Sequence, residues 1–597
     1  MPGMPRFLAA PLLWLEQNPA RVLLLPVGFL ILFYVLPLLG VMLVSVFPGG
    51  EFSFEAYEKL FQNGAFFSVI LRTIRLSLIV SIICLILGYP YAYLLTKVGD
   101  GTRRILILAV MLPFFTSILI RSYAWVAILG ARGPVNKLLV QSGLIDSPMQ
   151  LVYNEIGALI GMSQIQLPLM ILTLYGAMRR IDPDLMRAAE GLGAHRLVAL
   201  LKVFLPLTWP GVLSGLGLVF TSTLGFYVTP AMLGGPSEYM VTQSINVQLS
   251  SLGDFSGAAA QATVLLLIVL VLLYLLRHVF AALGGNPEDN DSGSVDRHRP
   301  AGSTLSTIPE AIVRSLGRGA DWLYIGLRTL LYLVVLLTVV FLTVTMVAVI
   351  PLGFSSDSFL RLPPSGYSLR WVQAYLGDDQ WLESTYFSIW ISICGAIVAT
   401  VLASIAAYAM TRWESRRAKP AVEIFLISPM IVPNFVVALA LYFIFIKLGL
   451  IGSYITYVLA YGVFAFPVVF LVMYAAFQRF DFSLIQAGAN LGAAPLSIWR
   501  RIVVPILLPS FLSAAVFAFL TAFDDLIVAL FFSTAGKYTL PMRMWADIRN
   551  EISPQIAAVA VIFFALALAA SAVFALGRFL RRRRSNHPLP AAVQSPS

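Results

Sequence analysis

The chain has 597 residues, of which 59% are apolar and only 12% are charged. A water-soluble enzyme of this length needs far more charge on its surface, so the composition is that of a polytopic membrane protein. The net charge of +11 does not point to nucleic acid, because Lys and Arg collect in the cytoplasmic loops of helical membrane proteins. Cys84 and Cys394 lie far apart inside apolar runs, and the four histidines, at 195, 278, 298 and 587, have neither metal-ligand nor catalytic-triad spacing.

In chain order, the first apolar run, from about residue 22 to 46, is too long for the core of a cleaved signal, and it reads as a retained first span. A helix needs about 20 mostly apolar residues to cross the hydrocarbon layer. Further candidates are 69–96, 105–130, 156–178, 206–231 and 259–284, then 322–352, 386–410, 421–448, 453–477, 506–532 and 556–580. The expectation is an all-α polytopic membrane protein of about twelve helices, arranged as two six-helix repeats. The basic loops TKVGDGTRR, MRRIDPDLMR, TRWESRRAK and WRR and the tail RFLRRRR alternate onto one side. That side is expected to be the cytoplasm, with both termini on it. Between the halves, residues 285–316 are Gly, Ser, Pro and charge and read as a disordered cytoplasmic linker. The expected divisions are a first domain at 1–284, a second at 317–584 and a tail at 585–597. An even number of spans before the linker gives the two halves the same orientation, so the repeats are parallel.

Internal matches support the repeat. Gly193 and Gly492, Pro206 and Pro505, and Pro168 and Pro467 are each 299 residues apart, whereas AYLLTK at 92–97 meets AYAMTR at 407–412 at an offset of 315. The two offsets differ by 16 residues, which places an insertion in the first half near GPVNKLLVQSGLIDSPMQLVYN. Two polar segments, 180–206 and 479–505, interrupt the oily chain between the fourth and fifth spans of each half. Each combines a short helix, a Gly turn and an amphipathic stretch ending at Pro. Small residues there let a partner approach, Gly193 and Gly492 allow unusual backbone angles, and Pro206 and Pro505 are expected in the first turn of the next span.

These segments resemble the cytoplasmic coupling segment of type I ABC-importer permeases. The pattern is carried by Arg187, Ala188, Ala189, Gly193, Leu205 and Pro206, and again by Gln486, Ala487, Gly488, Gly492, Val504 and Pro505. Both copies lack the family's Glu, for which Glu190 or Asp184 are candidate substitutes in the first. The resemblance implies one docking site on each of two ATPase subunits, most simply two identical copies. No G-x-x-x-x-G-K-[ST] motif occurs in the sequence, so ATP and magnesium are expected on that separate partner and no cofactor or metal in this chain. The chain is therefore expected to be a permease and not an enzyme.

SILIRSYAW at 117–125, GFYVTPAMLGG at 225–235 and the run from 519 to 562 are similar to the two permease subunits of the spermidine/putrescine group. The resemblance implies two such subunits fused in one chain of a bacterial inner membrane, served by a substrate-binding protein. Its substrate would be a polyamine or a related amine such as an opine or an aminobutyrate. Aminoalkylphosphonate and ferric iron are the alternatives, and an ion-coupled secondary transporter is a rival that leaves the repeated segments without a role. Asp524 and Asp525 fall inside the eleventh span, where a carboxylate costs about 2.5 to 3.5 kcal/mol and usually faces a cavity or a partner. One reading sets them against a cationic substrate, helped by the rings of Phe523, Phe226, Tyr227 or Trp125. The other pairs one of them with Arg121. At the 299 offset the first half has Gly225 and Phe226 instead, so the halves differ around the pathway.

Overall fold

The computed structural model describes residues 19–282 and 319–565, apart from 63, 416, 417, 535, 551, 552 and 564. The expected linker and the 585–597 tail lie outside the described residues, as does most of the 556–580 span, which is helical over 555–563. The described residues form helices and no sheet, as lipid requires of a chain that must satisfy its own backbone polar groups. In the first half, α1 (Leu24–Val46) and α2 (Gly64–Lys97) are followed by α3 (Asp100–Met111), α4 (Ile118–Leu129) and α5 (Glu155–Met178). Then come α6 (Pro183–Gly191), α7 (Arg196–Leu224), α8 (Val228–Leu233), α9 (Val241–Ser250) and α10 (Phe255–Ala282). The second half repeats the order with α11 (Gly319–Gly353), α12 (Asp379–Arg412), α13 (Lys419–Ile427), α14 (Asn434–Lys447) and α15 (Tyr454–Gln478). It continues with α16 (Ser483–Asn490), α17 (Pro495–Phe523), α18 (Ile527–Phe532) and α19 (Leu540–Asn550). Among the described residues nine helices are long and apolar enough to cross a membrane, or eleven if each of two bent pairs counts as one span.

The first helix of each half crosses to the other half. The Phe33 ring of α1 lies 6.5 Å from Phe445 of α14, and Phe341 of α11 lies 5.5 Å from Trp125 of α4. Gln164 of α5 donates from Nε2 to the Leu342 carbonyl at 3.2 Å and to Thr345 Oγ1 at 3.0 Å, both on α11. The halves are therefore interlocked.

Four spans that read as continuous in the sequence are broken. Pro113 opens a tight turn before α4, and Pro433 ends a break where α13 and α14 meet at 87°. The spans expected at 206–231 and 506–532 stop at Leu224 and Phe523 and resume at Val228 and Ile527. Gly225 weakens helix propagation at the first of these breaks. At the second, Asp524 and Asp525 take partners that only a broken helix offers. The helices leading into the breaks also begin ten and eleven residues before the expected starts, at Arg196 and Pro495. Pro206 and Pro505 thus sit inside a continuous helix and not in its first turn. A π turn at Leu200–Phe204, and another at Trp499–Val503, gives the wider coil that lets each ring clear the carbonyls behind it.

The inserted segment of the first half is an ordered cap between α4 and α5. Buried Asn136 donates from Nδ2 to the carbonyls of Leu129, Gly130 and Met149, at 3.2, 3.1 and 2.9 Å, and accepts from the Met149 N–H at 2.8 Å. Lys137 extends across to the Leu362 carbonyl of the second half at 2.8 Å. Asn136→Ala leaves these groups without their partner, at a cost of about 1–3 kcal/mol. The expected outcome is faster limited proteolysis between residues 130 and 150, with the rest of the chain cut at its usual rate.

Candidate functional site

The two polar segments fold alike. Asp182 caps α6 by accepting from the Asp184 N–H at 2.9 Å, and Asp481 accepts from the Ser483 N–H at 2.9 Å before α16. The Ser483 hydroxyl and backbone N–H hold the Asp481 carboxyl below its ordinary value. Both helices end on a left-handed glycine, Gly193 at φ +87° and Gly492 at φ +76°, the conformation that closes a helix and favours Gly. The closing bonds match: Ala194 N–H reaches the Ala189 carbonyl at 3.0 Å, and Ala493 N–H reaches that of Gly488 at 3.1 Å.

At each tip one leucine is pushed into the open, Leu192 at 90% exposure and Leu491 at 88%. Reading the sequence for small residues missed these two leucines and the capping aspartates; their 299-residue spacing is the signal that pairs them. Arg187, Ala188, Gln486 and Ala487 are exposed on the short helices, and Ala189 is half-buried. Gly488 corrects an expectation. It is buried, and a Cβ there would meet Ile498 at 3.2 Å and Ile502 at 3.3 Å, so it lets the two arms of the segment close on each other and does not face a partner. The candidate substitutes for the missing Glu have local partners: Asp184 holds Arg187 at 2.7 Å, and Glu190 lies 3.8 Å from Arg196.

Each segment is tied to its own half by a repeated pair. Lys97 lies over the rings of Tyr93 and Phe204, and Arg412 over those of Tyr408 and Phe482. Tyr408 also packs against Trp499 at 5.0 Å.

Deeper in the bundle the four breaks meet crosswise. A Cβ on Gly225 would lie 2.9 Å from Pro433 Cβ, so the 225–227 break of the first half abuts the break before α14. Asp524 of the second half faces the start of α4, where its Oδ2 accepts from the Ile118 N–H at 3.2 Å and the Ser117 hydroxyl bonds to it as well. Its other oxygen is buried without a hydrogen-bond partner. Arg121 is buried one turn further along α4, with its Nε likewise unpaired. Its charge acts on Asp524, but no ion pair within 4.0 Å joins the two.

Asp525 turns the other way and accepts from the Val528 N–H of α18 at 2.7 Å. The carboxylates therefore have different partners, as their adjacency suggested. The cause is their place between two helices, not their angle around one.

The candidate rings are packed among themselves. Tyr227 stacks on Phe435 at 5.4 Å, touches Trp545 at 5.8 Å, and accepts at its hydroxyl from Asn246 at 3.2 Å. Phe523 lies between Phe519 and Phe563. Trp125 is buried against Phe341, and the Phe226 carbonyl accepts from the Thr242 hydroxyl. Phe435 and Trp545, the second-half faces of this aromatic group, were missed because nothing in their local sequence marks them.

Two interlocked bundles with paired breaks at mid-chain and paired polar segments at one end define a membrane permease. The family described as binding-protein-dependent transport system inner membrane component matches residues 83–282 and again 399–586, well over half the chain. The chain belongs to that family, holds two of its domains, and is the permease component of a binding-protein-dependent ABC importer.

It is 32% identical over 255 residues to the spermidine/putrescine transport system permease protein PotB of Escherichia coli, covering 92% of that protein with 41% of this chain. It is 27% identical over 247 residues to PotC of Haemophilus influenzae, covering 94% of it with 41% of this chain. Each relative thus corresponds to part of this chain, as expected where two permease domains are joined. A bacterial alginate ABC transporter, solved in complex with a periplasmic protein carrying an alginate pentasaccharide, aligns at a TM-score of 0.38 and 22% identity, over 45% of this chain and 94% of its own.

Gly225 supplies the test of the crosswise contact. Gly225→Ala inserts a methyl against a proline ring that cannot rotate away, and overpacking of this kind costs about 1–3 kcal/mol. The variant should reach the membrane in normal amounts but unfold at lower temperature in detergent, and Gly225→Val should lower that temperature further.

Proposed function

We propose that this chain is the whole membrane-spanning part of an ATP-driven importer for a polyamine or a closely related amine. Residues 1–284 and 317–584 are its two permease domains, joined by a cytoplasmic linker. The tips at Leu192 and Leu491 lie on the cytoplasmic side, as do both termini. Each tip docks on one subunit of a separate pair of identical ATPase subunits, while a binding protein delivers substrate to the opposite side. ATP and magnesium belong to the ATPase, and the permease carries no catalytic residue and no metal.

The observation that carries the coupling reading is the pair of leucine tips. Leu192 and Leu491 are 90% and 88% exposed at the ends of tightly closed turns, and because they sit 299 residues apart on matched frames they offer the same apolar contact twice, as two like partner subunits would require. Leu192→Glu and Leu491→Glu should each reduce retention of the companion ATPase on the purified permease and lower substrate-stimulated ATP hydrolysis at least about ten-fold, the double variant more. Equal retention and hydrolysis in all three would refute the assignment.

The amine reading is supported by the similarity to spermidine/putrescine permeases and by Asp525. Asp524 is engaged by the start of α4 in the other half, whereas the bonds to Asp525 come from its own half, from the Val528 and Ile527 N–H groups, and Asp525 is the carboxylate assigned here to an ammonium group. A hydrogen-bonded ammonium and carboxylate contribute about 1.5–3 kcal/mol. Asp525→Asn should therefore raise the concentration of putrescine or spermidine needed for half-maximal uptake about ten-fold or more, in a complex that still assembles. Uptake at the wild-type concentration dependence would remove Asp525 from the substrate path.

A further inference from the structure

At the end of the bundle remote from the Leu192 and Leu491 tips, the second half carries a cleft of about 530 Å³ between the start of α12, the start of α15 and the turn at residues 536–538. Its walls include Glu383, Tyr386, Trp390, Tyr454, Lys537 and Tyr538. Its depth in the bilayer follows from the length of α12. A helix of 34 residues is about 51 Å long, and the hydrocarbon layer takes about 30 Å of it. With roughly seven residues left over at each end, Tyr386 and Trp390 stand at the boundary between headgroups and acyl chains.

Below them Ile393, Ile397 and Val401 continue along the same face. All five side chains are exposed, and a stripe of this spacing inside a membrane has acyl chains to meet.

The charge at the cleft is equally specific. Arg543 is occupied, with Nη1 on Gln380 Oε1 at 2.7 Å and Nε 3.5 Å from Asp547. Lys537 is exposed and in no ion pair among the described residues, and its ammonium lies 5.3 Å from the Tyr454 ring.

The first half shows what this place looks like without a cleft. Trp390 corresponds to Arg75 at the 315 offset, and Tyr454 to Glu155 at the 299 offset. Those two form an ion pair at 2.9 Å that bridges α2 and α5. Lys537 corresponds to Glu238, which is buried and accepts from the Gly235 N–H at 2.8 Å. The second half has replaced a closing ion pair with two rings and a buried acid with an exposed cation. Holding α12 against α15 does not require that exchange.

We propose that this cleft is a binding site for a membrane glycerophospholipid. The phosphate sits at the Lys537 ammonium, the glycerol region lies against Trp390 and Tyr386, and one acyl chain follows the Ile393, Ile397 and Val401 stripe. Aromatic rings and a basic side chain at the interface are the groups that recognise phospholipid there. An inorganic phosphate would use the ammonium but not the stripe, and that difference separates the two ligands.

The test is native mass spectrometry of the full chain with its partner subunits, released from detergent containing dioleoyl-phosphatidylethanolamine. Wild type should retain a bound phospholipid that Lys537→Glu and Trp390→Ala each reduce about five-fold or more. Lys447→Glu, an exposed charge at the same end outside the cleft, should retain it as wild type does. Excess inorganic phosphate should leave the lipid in place. Retention unchanged in both cleft variants, no lipid on wild type, or displacement by phosphate would each overturn the proposal.

Discussion

A backbone break inside a membrane exposes N–H and carbonyl groups that lipid cannot satisfy, and the described residues contain four such breaks. The arrangement that makes them tolerable is crosswise pairing of the two halves. The Asp524 carboxylate leaves the C-terminal end of α17, where the helix dipole repels an anion, and meets the N-terminal end of α4, where N–H groups and the dipole attract one. Asp525 does the same for α18 within its own half. Gly225 brings the remaining pair of breaks into contact with Pro433. Without the second half, the Ile118 N–H at the start of α4 would lose the carboxylate that satisfies it.

The same constraint accounts for the exchanged first helices. α1 seals the second half beside α14, and α11 seals the first beside α2 and α4, so separating the halves would strip a wall from each. Joining the halves in one chain keeps both partners at fixed proportion. It also relaxes the demand for identity between them: where the second half has two carboxylates, the first has Gly225 and Phe226.

Much of this organisation was legible in the sequence. The order of the spans followed from apolar length, though twelve were expected and the described residues hold nine, or eleven with each bent pair as one; the repeat followed from the spacing of glycines and prolines, and the paired polar segments from their polarity and position. The breaks were not. Apolar residues run on both sides of Gly225 in 206–231 and of Asp524 and Asp525 in 506–532, and a helix interrupted by a contact from the other half looks continuous in a sequence window. The early starts at Arg196 and Pro495 were hidden for the opposite reason. Polar residues there read as an amphipathic stretch separate from the span that follows, and the π turns that lead into Pro206 and Pro505 leave no local signature. Leu192 and Leu491 were passed over because an apolar residue beside glycine is unremarkable until its exposure is known.

Those early starts have a mechanical consequence. α7 and α17 each run 29 residues, about 43 Å of helical rise, from the base of a leucine tip to the edge of a break. A force applied at Leu192 therefore reaches Gly225 through one rod, and a force at Leu491 reaches Asp524 through another. Because the break at Gly225 leans on Pro433 and that at Asp524 leans on Ile118, each rod ends against the opposite half. Drawing the two tips together cannot move one break without moving its partner, so the geometry converts an approach at one end of the bundle into a change of contact between the halves at its centre.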